Sequence, residues 1–401
     1  MATSLQPKRL CNPAILKKID FPLLTKLLEP FRAYLEGRSL LWTEIEAEFD
    51  YPTLAIALAD PTEETPEELM DAIYFIDVMA DDDLFDRIHA EAVESGVDLG
   101  TSNELTPADL AVRVWLADRN ILERVHAEQY LTRPKKFQSY FADHLDVPDL
   151  QYPSDPTLKG LETDLNEWFD THKKGRGTRV FPFFREDGVW FMVRHGQRMK
   201  REGTMEPNGG AGSKYYRPET FDVLIYYPEQ RELTIHTQTK GETQAYCKHI
   251  GKHLFGDAGL FDFENAKPKY TLKPLIDQGP EVLACRKGEG VQAVRMVELQ
   301  FIHDFEQRYV ECHRGDDVFA AMAAKNRGIP EDAQLVRVSF KVLFEGAIKW
   351  RTVTLCMPNI ASFDRESDAQ TIHAWLAKRG FLCMIEPEAA DARPAEAVAV
   401  S

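Results

Sequence analysis

At 401 residues the chain is longer than one ordinary hydrophobic core sustains, which implies two or three domains. Its composition, 44% hydrophobic and 28% charged, is that of a globular protein, and no apolar run reaches the roughly 20 residues that span a bilayer. The formal net charge is −17, and nearly all of it falls within residues 1–150, so a general affinity of the whole chain for polyanions is excluded and any such affinity must be local. The N-terminus lacks the charged, apolar and small-residue regions of a secretory leader, and a cytoplasmic location without membrane contact is expected. Six cysteines, Cys11, Cys247, Cys285, Cys312, Cys356 and Cys383, are scattered without paired short spacings. They are expected to be reduced thiols, forming neither a disulfide framework nor a cysteine-rich zinc site.

The first 172 residues read as helices. Asn12-Pro13 places a capping side chain before a proline at the first helical position, and Ile15, Ile19, Leu23, Leu27 and Phe31 follow at helical spacing. Asp20-Phe21-Pro22 splits this segment, because an interior proline clashes with the preceding turn. Thr65-Pro66-Glu67-Glu68 is expected to form a capping box, and Thr106-Pro107-Ala108-Asp109 an approximation to one. Two octets, Leu84–Glu91 and Ile121–Glu128, match position by position in residue type. Asp81-Asp82-Asp83 precedes the first of them, where carboxylates stabilise a helix start without any metal. His89 and His126 are expected on helix surfaces or in packing, not as ligands.

A last helix over about 157–171 carries Leu158, Leu161, Leu165 and Trp168 on one face, and Lys173-Lys174-Gly175-Arg176-Gly177 then breaks the pattern as a hinge and domain boundary. Beyond it the hydrophobic period changes from 3.6 to 2. Val180–Phe184 and Val189–His195 flank an Asp-Gly turn, and Phe221–Tyr227 pairs with Leu233–Thr239. The stretch Asn208 to Lys214 between them reads as a mobile inter-strand loop whose spacing is not that of a phosphate-binding P-loop. Three strand–strand–helix units are expected, the first ending in a basic helix after Thr239, the others ending near 316–325 and 365–378. The fold class is therefore α+β: an acidic helical domain over 1–172, a β-rich domain over 173–288, a second strand–strand–helix domain over 289–385, and a disordered tail from 386 to 401. The sheet is expected to be mainly antiparallel with its helices on one face.

Candidate chemistry concentrates between Thr220 and Asp257. Alternation along the second strand puts His236, Gln238 and Lys240 on one face, beside Asp222 on the preceding strand about 5 Å away. An aspartate on one strand followed by Gln-x-Lys on the next resembles the restriction-endonuclease-like PD-(D/E)XK superfamily. The resemblance covers about forty residues, with Phe221 where the family has proline and an amide at the second acidic position. It implies a divalent ion, Mg²⁺ or Mn²⁺, held by Asp222 and Gln238 with a helical acid, Glu167, and Lys240 supporting the nucleophile or the phosphate charge.

Cations gather around the same region: Lys173, Lys174 and Arg176 before the first hairpin, Arg194, Arg198, Lys200 and Arg201 after it, and Lys248 and Lys252 on the basic helix. Meeting on one surface, they would neutralise phosphates. His249 and His253 have the i, i+4 spacing of a helical zinc pair, but no glutamate follows His249 and the adjacent lysines repel a cation. Three functions remain open: a non-catalytic component that binds nucleic acid through its basic β-rich part and a protein partner through its acidic helices, a metal-dependent nuclease centred on Asp222, Gln238 and Lys240, or a purely protein-binding scaffold subunit.

Overall fold

A computed structural model describes residues 7–383 apart from 63, 101–104, 134, 143–146, 148–149, 151, 207–208, 305–308, 332 and 366–367; the tail expected from 386 lies outside the described residues. The chain forms two compact units, Met1–Tyr130 and Leu131–Ser401. Among the described residues no helix is long and apolar enough to cross a membrane.

The first unit is helical: α1 (Pro13–Leu16), α2 (Phe21–Leu28), α3 (Arg32–Gly37), α4 (Tyr51–Ala59), α5 (Glu67–Met79), α6 (Asp82–Glu94) and α7 (Pro107–Leu131). Asn12 caps α1 through the Ala14 N–H at 3.0 Å, and the split before α2 falls at Asp20 as Pro22 requires. Asp81 caps α6 by accepting the Asp83 N–H. The box expected at Thr65 does not form. Pro66 takes the cap position, and the Thr65 hydroxyl instead accepts the Thr62 N–H at 2.8 Å and pairs with Tyr34. The similar octets lie on α6 and on the part of α7 beyond its kink at Asp118, and they meet reciprocally: Arg87 reaches Glu128 at 2.9 Å and Arg124 reaches Glu91 at 3.8 Å. Equivalent positions exchanging partners in this way define a local two-fold between antiparallel helices. His126 packs among Tyr74, Phe75 and Tyr130.

The second unit contains β1 (Lys136–Phe141), α8 (Asp155–Thr171), β2 (Arg179–Arg185), β3 (Gly188–Gly196), β4 (Lys200–Met205), β5 (Ala211–Tyr216), β6 (Glu219–Tyr227), β7 (Glu232–His236) and α9 (Lys240–Phe255). It continues through α10 (Lys273–Asp277), β8 (Val291–Asp304), β9 (Tyr309–Arg314), α11 (Val318–Ala323), β10 (Gln334–Phe344), β11 (Arg351–Cys356), β12 (Ile360–Ser362) and α12 (Ala369–Lys378). Ten strands form one antiparallel sheet in the order β2-β3-β6-β7-β1-β12-β11-β10-β8-β9. The α+β class and the three strand–strand–helix units are as expected, but two expectations about organisation are corrected. Residues 173–288 and 289–385 share this one sheet and are not separate domains. The first boundary lies at 130/131, not 172, because β1 pairs inside the sheet and α8 packs on it through Leu161, Leu165 and Phe169, leaving Lys173–Gly177 as an internal connection.

The helices do not share one face. Directly opposed residues point to the same side of a sheet and chain neighbours alternate. Leu233 and Ile235 of β7 face the core built with α8 and α9, and so do their β1 partners Tyr140 and Gln138. Phe137 therefore points the other way, as do Ala361 opposite it, Leu355 opposite Ala361, and Val338 opposite Leu355. The last three belong to the core covered by α10, α11 and α12. Helices thus cover one face at one end of the sheet and the reverse face at the other, because the apolar set of each half falls on opposite phases of the alternation.

Asp77, buried on α5, accepts the N–H groups of Lys8, Arg9 and Leu10 at 2.9, 2.6 and 2.7 Å. Its removal leaves three donors without their acceptor, whereas the Arg87–Glu128 pair is half exposed and screened. Asp77→Ala is expected to cost about 3 kcal/mol in urea unfolding of the helical unit, and Glu128→Gln less than about 1 kcal/mol; equal costs would contradict this ranking.

Candidate functional site, a buried charge network beside an exposed basic ribbon

Asp222 lies on β6 with Val223 paired to His236, so its own side chain points to the reverse face, with Leu224, toward α8 and α9. It is 1% exposed. The alternation expected to bring Gln238 and Lys240 beside it stops at His236, where β7 ends. Thr239 then caps α9, in a box in which the Glu242 N–H donates to the Thr239 hydroxyl at 3.3 Å and Glu242 accepts the Thr239 N–H at 2.8 Å. Lys240 becomes the first residue of the helix and is exposed. Gln238 donates its amide to the Thr220 hydroxyl at 3.1 Å, and His236 faces the Lys136 carbonyl. Glu167 is exposed on α8. The set expected to hold a metal, Asp222, Gln238 and Glu167, with Lys240 beside it, is therefore not the set that Asp222 meets.

Its actual partners come from two elements, β3 and α9. His195 Nε2, on β3, lies 2.9 Å from Asp222 Oδ2, and the Tyr246 hydroxyl, on α9, donates to the same oxygen at 2.8 Å. His195 Nδ1 faces the Gly196 carbonyl at 3.0 Å, and Phe169 of α8 stacks on the imidazole at 4.0 Å. Glu242 approaches His195 Nε2 at 3.9 Å and accepts Lys174 Nζ together with the hydroxyls of Thr237 and Thr239 at 2.7 and 2.9 Å. Acceptors thus lie opposite both ring nitrogens of His195, and the buried Glu242 carboxylate is paired with the partly buried Lys174 ammonium, pairing that buried polar and charged groups need. Burial alone would raise the Glu242 carboxyl, but hydrogen bonds from Lys174, Thr237 and Thr239 outweigh it and hold the group below its usual range. Burial, reinforced by Asp222, pushes the Tyr246 phenol well above its usual range, so it remains a donor.

One carboxylate oxygen, Asp222 Oδ1, is buried without a hydrogen-bond partner, and one donor atom each from His195, Asp222 and Glu242 lies within 4.8 Å of the others. The donors do not fit Mg²⁺ or Mn²⁺. Such hard ions require about six oxygen ligands, commonly including waters, whereas this site is sealed, supplies an imidazole, and already places an ammonium on Glu242.

The surface beside the network is more open. The glycine-rich stretch expected as a loop is, over its described residues, part of a two-stranded ribbon, with Lys200 opposite Tyr216 and Met205 opposite Ala211, separate from the main sheet. Met205 and Tyr215 on it are 75% and 62% exposed. At the ribbon base the Gln197 N–H donates to the Pro218 carbonyl at 2.7 Å, and Arg217 donates to the Lys173 carbonyl. Gly196 is required there, since a Cβ would sit 2.7 Å from the Lys174 carbonyl. Of the expected nucleic-acid residues, Lys174, Arg176, Arg194 and Lys252 are held in ion pairs with Glu242, Asp170, Glu219 and Asp164. Lys173, Arg198, Lys200, Arg201 and Lys248 are exposed and carry no ion pair among the described residues.

Sequence reasoning named Asp222 but assigned it the wrong partners, and gave Glu242 and Tyr246 no role. The signal for Glu242 was present: Thr239-Lys240-Gly241-Glu242 is a capping-box pattern, which would have ended the strand before Lys240. No known family's sequence profile matches the chain, and no curated protein matches it in sequence.

Glu242→Gln removes the partner of a buried ammonium and is expected to destabilise the second unit by about 3 kcal/mol at neutral pH. The folded carboxyl titrates below its ordinary value of 4.5. Its contribution is thus complete above that value and is lost as pH falls through the lower folded value. The gap between wild type and variant in urea unfolding should narrow only below about pH 4.5; a gap that first narrows between pH 8 and 6 would refute the assignment.

Proposed function

We propose that the protein is a non-catalytic binding component that engages nucleic acid through the β4–β5 ribbon and the cations at its base, and a protein partner through its acidic helical unit. The observation that carries this reading is the ribbon itself, an exposed antiparallel hairpin bearing Lys200 and Arg201 with Arg198 at its foot and Tyr215 on its second arm. A two-stranded ribbon has the width to enter a major groove, and an exposed tyrosine beside cations can stack on an unpaired base. Lys173 adds a cation on the loop to which Arg217 ties the ribbon base. Net charge of −17 restricts such binding to this patch and disfavours coating of a polyanion. The partner surface is supported by the acidity of the helical unit and by Leu41, Ile45 and Ile56, which stand exposed on it. Nothing in the arrangement favours the nuclease alternative, because Asp222 is sealed under α8 and α9 and is hydrogen-bonded to His195 and Tyr246.

Fluorescence anisotropy with labelled single-stranded and duplex oligonucleotides tests the first half of the reading. Four phosphate contacts predict a slope of log affinity against log salt of about −3 to −4. Lys200→Glu with Arg201→Glu is expected to weaken binding at least about tenfold and flatten the slope by about 2. Absence of binding to both probes at low salt would sink the proposal.

A further inference from the structure

The basic helix α9 carries a second polar cluster, remote in composition from the network around Asp222. Asp164, on α8, points its Oδ2 between His249 and His253 of α9: His253 Nε2 lies at 2.7 Å and His249 Nδ1 at 3.3 Å. One donor atom from each of the three lies within 4.8 Å of the others. The sequence offered only the i, i+4 histidine pair; the third donor arrives from α8, 89 positions before His253.

We propose that Asp164, His249 and His253 form a transition-metal site, best suited to zinc, that clasps α8 to α9. Two imidazoles and a carboxylate are a common three-ligand set for Zn²⁺, with water in the fourth position. Bonds of about 2.0–2.2 Å in a tetrahedron put donors roughly 3.3 Å apart, the separation already found between His249 and Asp164. Two further features are hard to explain by helix packing alone. His249 Nδ1 is buried, and the Asp164 oxygen 3.3 Å away does not meet it with hydrogen-bond geometry. Gly160, one turn before Asp164 in the interior of α8, leaves the space that the His253 ring occupies, since a Cβ there would come within 3.1 Å of the imidazole. Glycine inside a helix costs about 1 kcal/mol relative to alanine, and here it keeps His253 able to turn its Nε2 toward Asp164.

The three side chains are 12–22% exposed, so an ion can reach them from solvent. The competitor is Lys252, whose ammonium sits 2.5 Å from the same Asp164 oxygen. Its side chain is 50% exposed, so releasing it to water costs little, and a divalent ion replaces one positive charge with two.

Zinc titration of the full-length, chelator-treated protein by isothermal calorimetry tests this. The expected result is one ion per chain at an affinity tighter than about 10 µM, weakened at least tenfold in Asp164→Asn and in His253→Ala and tightened in Lys252→Ala, with circular dichroism confirming that each variant is folded. Absence of saturable binding in both wild type and Lys252→Ala would overturn the proposal, and so would an affinity unchanged in Asp164→Asn and His253→Ala.

Discussion

Strand β1 is the constraint on which the second unit depends. Its six residues pair with β7 on one side and β12 on the other, joining two half-sheets that share no other strand pairing among the described residues. Each half has its own apolar face and its own helices, and β1 must serve both. It does so with Tyr140 turned into the core under α8 and α9, and Phe137 turned to the reverse side, where the Arg365 guanidinium lies 4.3 Å from its ring and 4.5 Å from that of Phe363. Also buried on this reverse side, Glu232 of β7 accepts Lys269 at 2.6 and 2.8 Å. Burial together with Lys269 and Arg365 drives His373 down to about 3, so it is neutral and adds no charge. Polar groups at the joint are costly unless paired, and their placement gives the two half-sheets a specific way to meet.

The network around Asp222 follows from how β7 ends. A strand that ran on to Lys240 would offer its polar side chains to solvent in a row. The capping box instead turns the chain into α9 at Thr239, and this brings Glu242 and Tyr246 over the sheet on the face where His195 and Asp222 already point. Glu242 then acts twice, satisfying the first turn of α9 and pairing Lys174. Through Lys174 the network holds the connection that supports the ribbon base, so the buried charges and the exposed cations belong to one construction.

Local signals were legible in the sequence and long-range ones were not. Asn12-Pro13, Asp81 and the Asp-Gly turn between β2 and β3 act within a few residues, and each stands where its chemistry places it. Thr65 failed because Pro66 occupied the cap position and a tertiary partner, Tyr34, claimed the hydroxyl. The boundary expected at Lys173 failed because a glycine-rich connection and a linker have the same composition, and only the pairing of β1 separates them. The ribbon was hidden by glycines that mark a loop as readily as a hairpin. For the candidate site, Asp222 was recognisable as an acid out of place on an apolar strand, but its partners depend on register: one residue of phase decides whether it faces His236 or Tyr246.

The place of β1 also bears on how the unit assembles. The β2-β3-β6-β7 and β8-β9 to β11 segments are meanders or near-neighbour pairings that close over modest loops. β1 instead makes contacts that span 100 residues to His236 and 220 to Asn359. Closing loops of that length costs more chain entropy than closing a hairpin, and β1 bears this cost on both of its edges, whereas its neighbours within each half-sheet close over shorter connections.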